Sequence, residues 1–249
     1  ICALSGGVDS MTLAHFAHSV VDNKAKMVHA VSSAVPQEAT SRLQKHANYQ
    51  GWSLACLDAG EFRDESYISN PSNRCFYCKK NLYARISEEY PGATIFSGTN
   101  IDDLSDYRPG LVAANARAVQ HPFVEVNMDK KAIRKLARSM GLESLSNLPA
   151  SPCLSSRVET GIRIEKDKLE MIDAVESMLA RSFVLKIVRC RVRRQGIVIE
   201  LDPALLAKID KSLANEVLKS ASKVIREHGC NFKVSIEAYR MGSAFLKNI

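Results

Sequence analysis

The stretch Ile1-Cys2-Ala3-Leu4-Ser5-Gly6-Gly7-Val8-Asp9-Ser10 decides the fold. A short apolar run reads as a strand, two glycines let the backbone turn tightly, and Ser10–Val21 reads as a helix with Met11, Leu13, Ala14 and Ala17 on one face. A strand passing through a glycine turn into a helix brings backbone N–H groups close to an anion, and the helix N-terminus adds its partial positive charge. The hydroxyls of Ser5 and Ser10 can donate to phosphate, and Asp9 suits a Mg²⁺ ion or a helix cap. The plainer reading is a capped strand-to-helix turn; the six residues in this context favour nucleotide binding. A Walker A loop is absent, because no Gly-Lys-Ser/Thr follows, and the G-x-G-x-x-G spacing of a dinucleotide loop is missing.

Outward from this turn, strands expected at Lys26–Val31, Trp52–Leu57 and Thr94–Ser97 alternate with helices at Glu38–Tyr49, Asn73–Tyr90, Gly110–Val119 and Asp129–Met140. That alternation predicts βαβ units, a doubly wound and mainly parallel α/β sheet. Near Ser144–Pro152 the texture changes to Ser, Asn and two prolines, a linker or active-site loop. Beyond it come a helix at Lys166–Arg181, strands at Val184–Val192 and Gly196–Leu201 joined by the turn Arg194-Gln195, a long helix at Pro203–His228 and a strand at Asn231–Glu237. The expected domains are residues 1–150, a nucleotide-binding sheet, and 151–249, a smaller α+β domain for substrate or oligomer contacts.

Composition sets the outer limits. With 249 residues, 46% hydrophobic and 24% charged, the chain is globular and needs no disulfide staple. No stretch of about 18 uninterrupted apolar residues offers a membrane span. The first residue is Ile, so a trimmed N-terminus is expected, with no targeting segment to read. The net charge of +7 suggests an anionic partner. Seven cysteines, an odd number spread along the chain, read as reduced cytoplasmic thiols rather than a disulfide framework.

Three of these thiols stand out. Cys75 and Cys78, in Asn73-Arg74-Cys75-Phe76-Tyr77-Cys78-Lys79-Lys80, sit three apart at a helix start, where the helix terminus and the basic neighbours favour the thiolate. Half a zinc site, a redox pair, iron–sulfur ligands and an incidental pair all remain open. Cys153, in Ser151-Pro152-Cys153-Leu154-Ser155-Ser156-Arg157, is the obvious third sulfur; its plainer reading is a buried small hydrophobe. Cys2, Cys56, Cys190 and Cys230 are expected to serve packing. Elsewhere, Asn100, Asp102 and Asp103 follow a strand end, where α/β sheets place ligand groups; Asp103 suits Mg²⁺, a ribose or a helix cap. Arg157 is a good bidentate partner for phosphate. The stretch Arg181–Arg194 carries six basic residues and no acid, with Arg189, Arg191 and Arg193 alternating with Val188, Cys190 and Val192. It is either a solvated strand face or an anion patch.

The phosphate loop resembles that of the PP-loop ATP pyrophosphatases, the adenine nucleotide alpha hydrolases. The resemblance implies cleavage of ATP between its α and β phosphates. Ser5, Gly6, Gly7, Asp9 and Ser10 would hold the pyrophosphate, with Ala30, Val31 and Ser32 near the adenine. Three further stretches are similar to the LarE family of ATP-dependent sulfur transferases in nickel-pincer cofactor synthesis: Asn73–Tyr83, Gly98-Thr99-Asn100-Ile101-Asp102-Asp103 with Tyr107-Arg108-Pro109-Gly110, and Pro152–Arg157. The similarity runs on to Tyr239-Arg240-Met241-Gly242-Ser243. It implies adenylation of a carboxylate of pyridinium-3,5-biscarboxylic acid mononucleotide, followed by conversion to a thiocarboxylate. Within it Gly98, Asn100 and Asp103 join the ATP site with Mg²⁺; Asp9, Cys153 and Arg157 are the catalytic candidates; and Arg108, Ser156, Arg157, Arg189 and Arg191 meet substrate or phosphate. Cys75, Cys78 and Cys153 together match the branch of the family that carries a [4Fe–4S] cluster with one open iron, the other branch sacrificing a single cysteine. Glu200 is a weaker metal candidate. A sulfide or other sulfur donor and a homo-oligomer are implied as partners.

Two details depart from the family pattern: Ser97 where Asp is common, and Val158-Glu159-Thr160-Gly161 beside the expected acceptor pocket. Two other functions compete, a tRNA-thiolating enzyme and a non-catalytic nucleotide or iron–sulfur module. No appended RNA-binding domain is recognisable and the aromatics form no stacking platform, which favours a small-molecule acceptor over nucleic acid.

Overall fold

The computed structural model describes residues 1–105 and 108–244, without the side chains of Asn23 and Ser105; Tyr107 lies outside the described residues. They divide into two compact units: Ile1–Tyr67 with Asn73–Pro152, and Ile68–Ser72 with Cys153–Ile249.

The first unit is an α/β sheet. Its strands are β1 (Cys2–Leu4), β2 (Lys26–Ala30), β3 (Ser53–Leu57) and β4 (Phe96–Ser97), all parallel, in the order β3-β2-β1-β4. Gln120 bridges Phe96 in parallel and adds a fifth position beyond β4. Between the strands run α1 (Val8–Val21), α2 (Gln37–Gln50), α3 (Glu65–Ile68), α4 (Arg74–Glu89), α5 (Pro109–Asn115), α6 (Pro122–Glu125), α7 (Lys130–Ser139) and α8 (Glu143–Ser146). The sheet is covered on both sides. Cys2, Leu4 and Met27 pack with Met11, Ala14, Leu43, Trp52 and Ala137. Val28, one residue along from Met27, packs with Leu82, Tyr83, Ile86, Ala114 and Val119. This is the two-residue side-chain period of a strand buried on both faces. Such strands read as continuous apolar runs, which is why Ile1–Leu4 was legible from so short a signal.

The second unit begins with a 3₁₀ turn at Leu154–Arg157 and α9 (Lys166–Ser182). Strands β5 (Val188–Arg193) and β6 (Gly196–Leu201) form the expected antiparallel hairpin. Strand β7 (Val234–Ala238) runs parallel to β6. The single helix expected over Pro203–His228 is two, α10 (Pro203–Leu206) and α11 (Lys211–Glu227). The break comes from competing caps. The Asp202 carboxylate accepts from the Ala204 and Leu205 N–H groups, and Asp210 accepts from Leu213 N–H at 2.8 Å, so Asp210 starts a new helix instead of continuing the old one. Cys56 also departs from expectation: β3 is an edge strand and its thiol is exposed, whereas Cys2 and Cys190 are buried.

Residues 68–72 are encoded amid the first unit yet belong to the second. Asn70 is fully buried in the left-handed region, φ 57°. Its amide donates to the carbonyls of Glu159 at 2.9 Å and Ile162 at 2.8 Å, while its own carbonyl accepts from Gly161 N–H at 2.9 Å. Asn tolerates this backbone where Ala does not. Asn70→Ala is therefore expected to cost about 2–4 kcal/mol, from orphaned carbonyls and a strained φ together. Urea unfolding followed by circular dichroism measures it; a loss under about 0.5 kcal/mol would mean that the amide clamp contributes nothing.

Candidate functional site

The loop after β1 has the geometry that an anion requires. Gly6 takes φ 77°, and a Cβ there would lie 3.1 Å from the Ala39 carbonyl oxygen. Gly7 is extended and no side chain caps α1, so the first-turn N–H groups face the loop. Ser10 closes the turn: its hydroxyl lies 3.2 Å from Ser5 N, 3.1 Å from Ser5 Oγ and 3.3 Å from the Gly7 carbonyl. Arg42 on α2 reaches back to the Gly6 carbonyl at 3.3 Å. His29, buried on β2, bonds the Leu4 carbonyl and Thr40 Oγ1, each at 3.0 Å, and so ties the strand ends to α2. Ala30 ends β2, Val31 and Ser32 follow it, and Val31 N–H donates to the Leu57 carbonyl.

The end of β4 packs directly on this loop. A Cβ on Gly98 would stand 2.6 Å from Ser10 N and 2.8 Å from Asp9 C. Only glycine lets the two segments approach this closely. Beyond Gly98, Asn100 is buried and folds the loop on itself: its Oδ1 accepts from Asp102 N–H, and its N–H donates to Asp103 Oδ2 at 3.1 Å. Asp103 pairs with Arg108 at 2.8 Å. Asp9 Oδ2 meets Lys130 Nζ at 3.1 Å, while Asp9 Oδ1 is buried without a hydrogen-bond partner among the described residues. Burial pushes the Asp9 carboxyl upward against the pull of Lys130, and Asp103 adds to the rise. A Mg²⁺ ion held by one or two carboxylates plus nucleotide phosphates would satisfy that oxygen. Lys130 and Arg42 escaped the sequence reading because neither lies in a recognisable motif.

The cysteines are distributed between the units. Cys75 and Cys78 lie on the first turn of α4, half-buried; Cys153, exposed, precedes the 3₁₀ turn of the second unit. Thiol chemistry suits soft metal ions. Among the described residues, however, no three His, Cys, Asp or Glu side chains are gathered as a metal site.

In the second unit the arginines are matched to buried carboxylates. Arg157, expected at phosphate, donates in bidentate fashion to Glu176, Nε to Oε1 and Nη2 to Oε2, each 2.9 Å, and also to Ser156 Oγ and the Cys153 carbonyl. Burial disfavours its charge, but Glu176, with Cys153 and Tyr239 adding to it, holds its pKa above the usual value. Arg191, only 4% exposed, donates to Glu200 at 3.0 Å and to the Ser156 carbonyl at 2.8 Å. Glu200, the weaker metal candidate, is fully buried and also accepts from Arg193 at 3.0 Å and from Ser243. Glu200 and Glu237 stand opposite each other on paired strands, and Arg193 bridges the two. Arg189 lies over the Tyr239 ring and 4.0 Å from Glu176; burial, then the Arg157 charge, lowers its pKa. The solvated strand face is thus corrected: Arg191 is buried, Arg189 and Arg193 are half-buried, and all three meet carboxylates. Glu176 was missed, though a signal existed. It falls on the apolar stripe of Leu169, Ile172 and Leu179, where a carboxylate needs a buried cation.

No family model matches the chain. It is 34% identical over 209 residues to the uncharacterized protein slr1717 of Synechocystis sp., covering 82% of this chain and 76% of the relative. It is 26% identical over 252 residues to the uncharacterized protein MJ0830 of Methanocaldococcus jannaschii, covering 96% and 90%. It is 29% identical over 207 residues to the pyridinium-3,5-bisthiocarboxylic acid mononucleotide synthase of Lactiplantibacillus plantarum, covering 81% and 74%. The chain therefore belongs to the same family as the Synechocystis protein, and it is similar to the Lactiplantibacillus synthase along most of its length.

Proposed function

We propose that the chain is an ATP-dependent sulfur transferase that adenylates a carboxylate of pyridinium-3,5-biscarboxylic acid mononucleotide, or a similar nucleotide-like acid, in nickel-pincer cofactor synthesis. The observation that carries this reading is the uncapped N-terminus of α1 beside the Ser5–Ser10 loop, with Asp9 Oδ1 unpartnered beside it. Kinship with a synthase of the bisthiocarboxylic acid supports the acceptor class. In the first step a carboxylate oxygen attacks the α-phosphorus and the bond to pyrophosphate breaks. In the second, a sulfur nucleophile attacks the acyl carbon, AMP leaves with the carboxylate oxygen, and a thiocarboxylate remains. The first-turn N–H groups of α1, with Ser5 and Ser10, would hold the departing pyrophosphate, and Asp9 would hold Mg²⁺. Ala30, Val31, Ser32, Gly98, Asn100 and Asp103 would complete the ATP site; Arg108, Ser156 and Arg189 would face the acceptor. Arg157 and Arg191 would keep their charge poised through Glu176 and Glu200.

The proposed ligands of a [4Fe–4S] cluster are Cys75, Cys78 and Cys153. When bound, such a cluster would supply an iron able to carry sulfide. Anaerobic reconstitution with iron and sulfide, then absorption and EPR spectroscopy, is expected to load the chain, and replacing all three cysteines by Ala to abolish loading. Unchanged metal content in the triple variant would refute the ligand set. Catalysis is tested by anaerobic pyrophosphate release across carboxylate acceptors. Release that depends on the pyridinium dicarboxylate supports the proposal. ATP binding without AMP or pyrophosphate under any acceptor would leave a non-catalytic nucleotide module, and thiolated tRNA as the product would leave tRNA modification.

A further inference from the structure

His121 stands outside every motif of the sequence, yet it sits at the ligand end of the sheet. Gln120 pairs with Phe96, accepting from Ser97 N–H at 3.0 Å and donating to the Ile95 carbonyl at 2.9 Å. His121 is therefore the first residue past the carboxyl end of the position beside β4, where open α/β sheets bind ligands. Its backbone is held firmly. It precedes Pro122, and its carbonyl accepts from Val124 and Glu125 N–H at the start of α6.

The ring is held as firmly as the backbone. His121 Nδ1 lies 2.7 Å from Ser97 Oγ, and Ser97 Oγ lies 2.9 Å from Thr99 Oγ1. Thr99 N–H also points at Ser97 Oγ, at 3.5 Å. Ser97 and Thr99 flank Gly98, the residue that abuts Asp9 and Ser10. The ring is thus hydrogen-bonded to the residue next to the one that abuts the phosphate loop. The Nε2 atom at its far side is buried and has no hydrogen-bond partner among the described residues. Leaving a buried polar atom unpartnered is unfavourable, which calls for an occupant.

The identity of that occupant follows from the proton arrangement. Ser97 Oγ has two lone pairs, which the Thr99 N–H and hydroxyl can fill. With both filled, the Ser97 proton is free to be given to His121 Nδ1. Burial lowers the pKa of His121, with Glu125 and Asp103 opposing and Lys79 assisting, so the ring is held neutral. A neutral ring that accepts at Nδ1 carries its proton on Nε2. In that arrangement the free side of His121 is a hydrogen-bond donor with no acceptor among the described residues.

We propose that His121 is a ligand-contacting residue of the nucleotide site, its Nε2–H donating to a ribose or phosphate oxygen of bound ATP, with Ser97 and Thr99 as the positioning residues that fix its tautomer. The proposal rests on ATP being the ligand of the Ser5–Ser10 loop. Ser97, the departure from the family pattern, then has a purpose: it supplies the hydroxyl that a carboxylate would not, and a carboxylate there would take the Nδ1 proton and leave Nε2 as an acceptor.

The test is calorimetric titration of the full chain with ATP, AMP, adenosine and pyrophosphate, each in the presence of Mg²⁺, alongside ¹⁵N NMR of histidine-labelled protein. In the unaltered chain the Nε2–H tautomer should be seen, and its resonance should shift when ATP binds. His121→Phe should weaken ATP about 10- to 100-fold, the loss of one hydrogen bond to a charged or strongly polar oxygen. His121→Gln, which places an amide donor near Nε2, should recover affinity to within about threefold. If the loss in His121→Phe extends to pyrophosphate, the partner is a phosphate oxygen; if it is confined to AMP, adenosine and ATP, it is a ribose oxygen, and either outcome supports the contact. An unaltered chain that binds none of the four would overturn the nucleotide reading itself. A chain that binds ATP with no movement of the His121 resonance, or with equal affinity in His121→Phe, would overturn this inference alone. Equal loss in the Phe and Gln variants with a matching fall in Tm would also overturn it, since that is what a structural role predicts.

Discussion

Glu200→Ala is expected to unfold the second unit at markedly lower temperature. Removing this carboxylate leaves Arg191 buried and unbalanced, and leaves Arg193 to Glu237 alone. Taking one partner from a buried ion pair costs about 3–5 kcal/mol, because the remaining charge cannot recover its hydration. For a chain of this size that corresponds to a fall in Tm of roughly 6–20 °C. Scanning calorimetry measures it, and circular dichroism confirms the folded baseline. Glu200→Gln should fall between, since the amide oxygen still accepts one guanidinium bond but brings no charge. A fall under about 1 °C in the Ala variant would mean that water reaches the arginines and that the network is a surface feature. The prediction separates two roles for Glu200. A residue that only held a metal would leave the stability of the metal-free protein unchanged.

Gly98→Ala carries the largest expected effect on activity. Its Cβ would lie 2.6 Å from Ser10 N and 2.8 Å from Ser10 Cα, contacts with backbone that no rotamer relieves. Either β4 or the first turn of α1 must shift. A displacement of about 1 Å at a reacting centre costs on the order of a hundredfold in rate, so pyrophosphate release should fall by about that factor in kcat/KM. Gly7→Ala is the informative companion. Its Cβ would meet only Ser5 Oγ at 3.5 Å, an ordinary contact, and its backbone is extended, so the fold should tolerate it. An Ala at 98 with undiminished nucleotide affinity and turnover would show that the close approach of β4 to the phosphate loop is dispensable.

The parallel sheet was legible because each of its strands is a compact apolar run between turn residues and helical patterns. The hairpin of β5 and β6 was legible from its alternation and from the polar turn between. What escaped the sequence depended on tertiary partners. The arginines of β5 can be seen to share a face, but not that Glu176 and Glu200 fold under them, so the pattern alone admits a solvated face that the ion pairs exclude. The interruption of the helix over Pro203–His228 hinged on Asp210, whose residue type suits a cap and a helix surface alike. His121 and Lys130 reach the phosphate-loop neighbourhood only through the pairing of Gln120 with β4 and the packing of α7, which no local pattern announces. Asn70 was invisible for the same reason: Glu159, Gly161 and Ile162, which it meets, lie some ninety residues away.

That last separation bears on how the chain is made. During synthesis residues 68–72 leave the ribosome long before Glu159 and Ile162 exist, so the segment must wait, solvated, while the surrounding sheet can already assemble. The second unit closes only when its late-born residues capture this early one. Gene fragments that begin at Cys153 would therefore encode an unfinished object, however natural the boundary looks in the linear text. A split that respects the unit has to carry a copy of residues 68–72 with it.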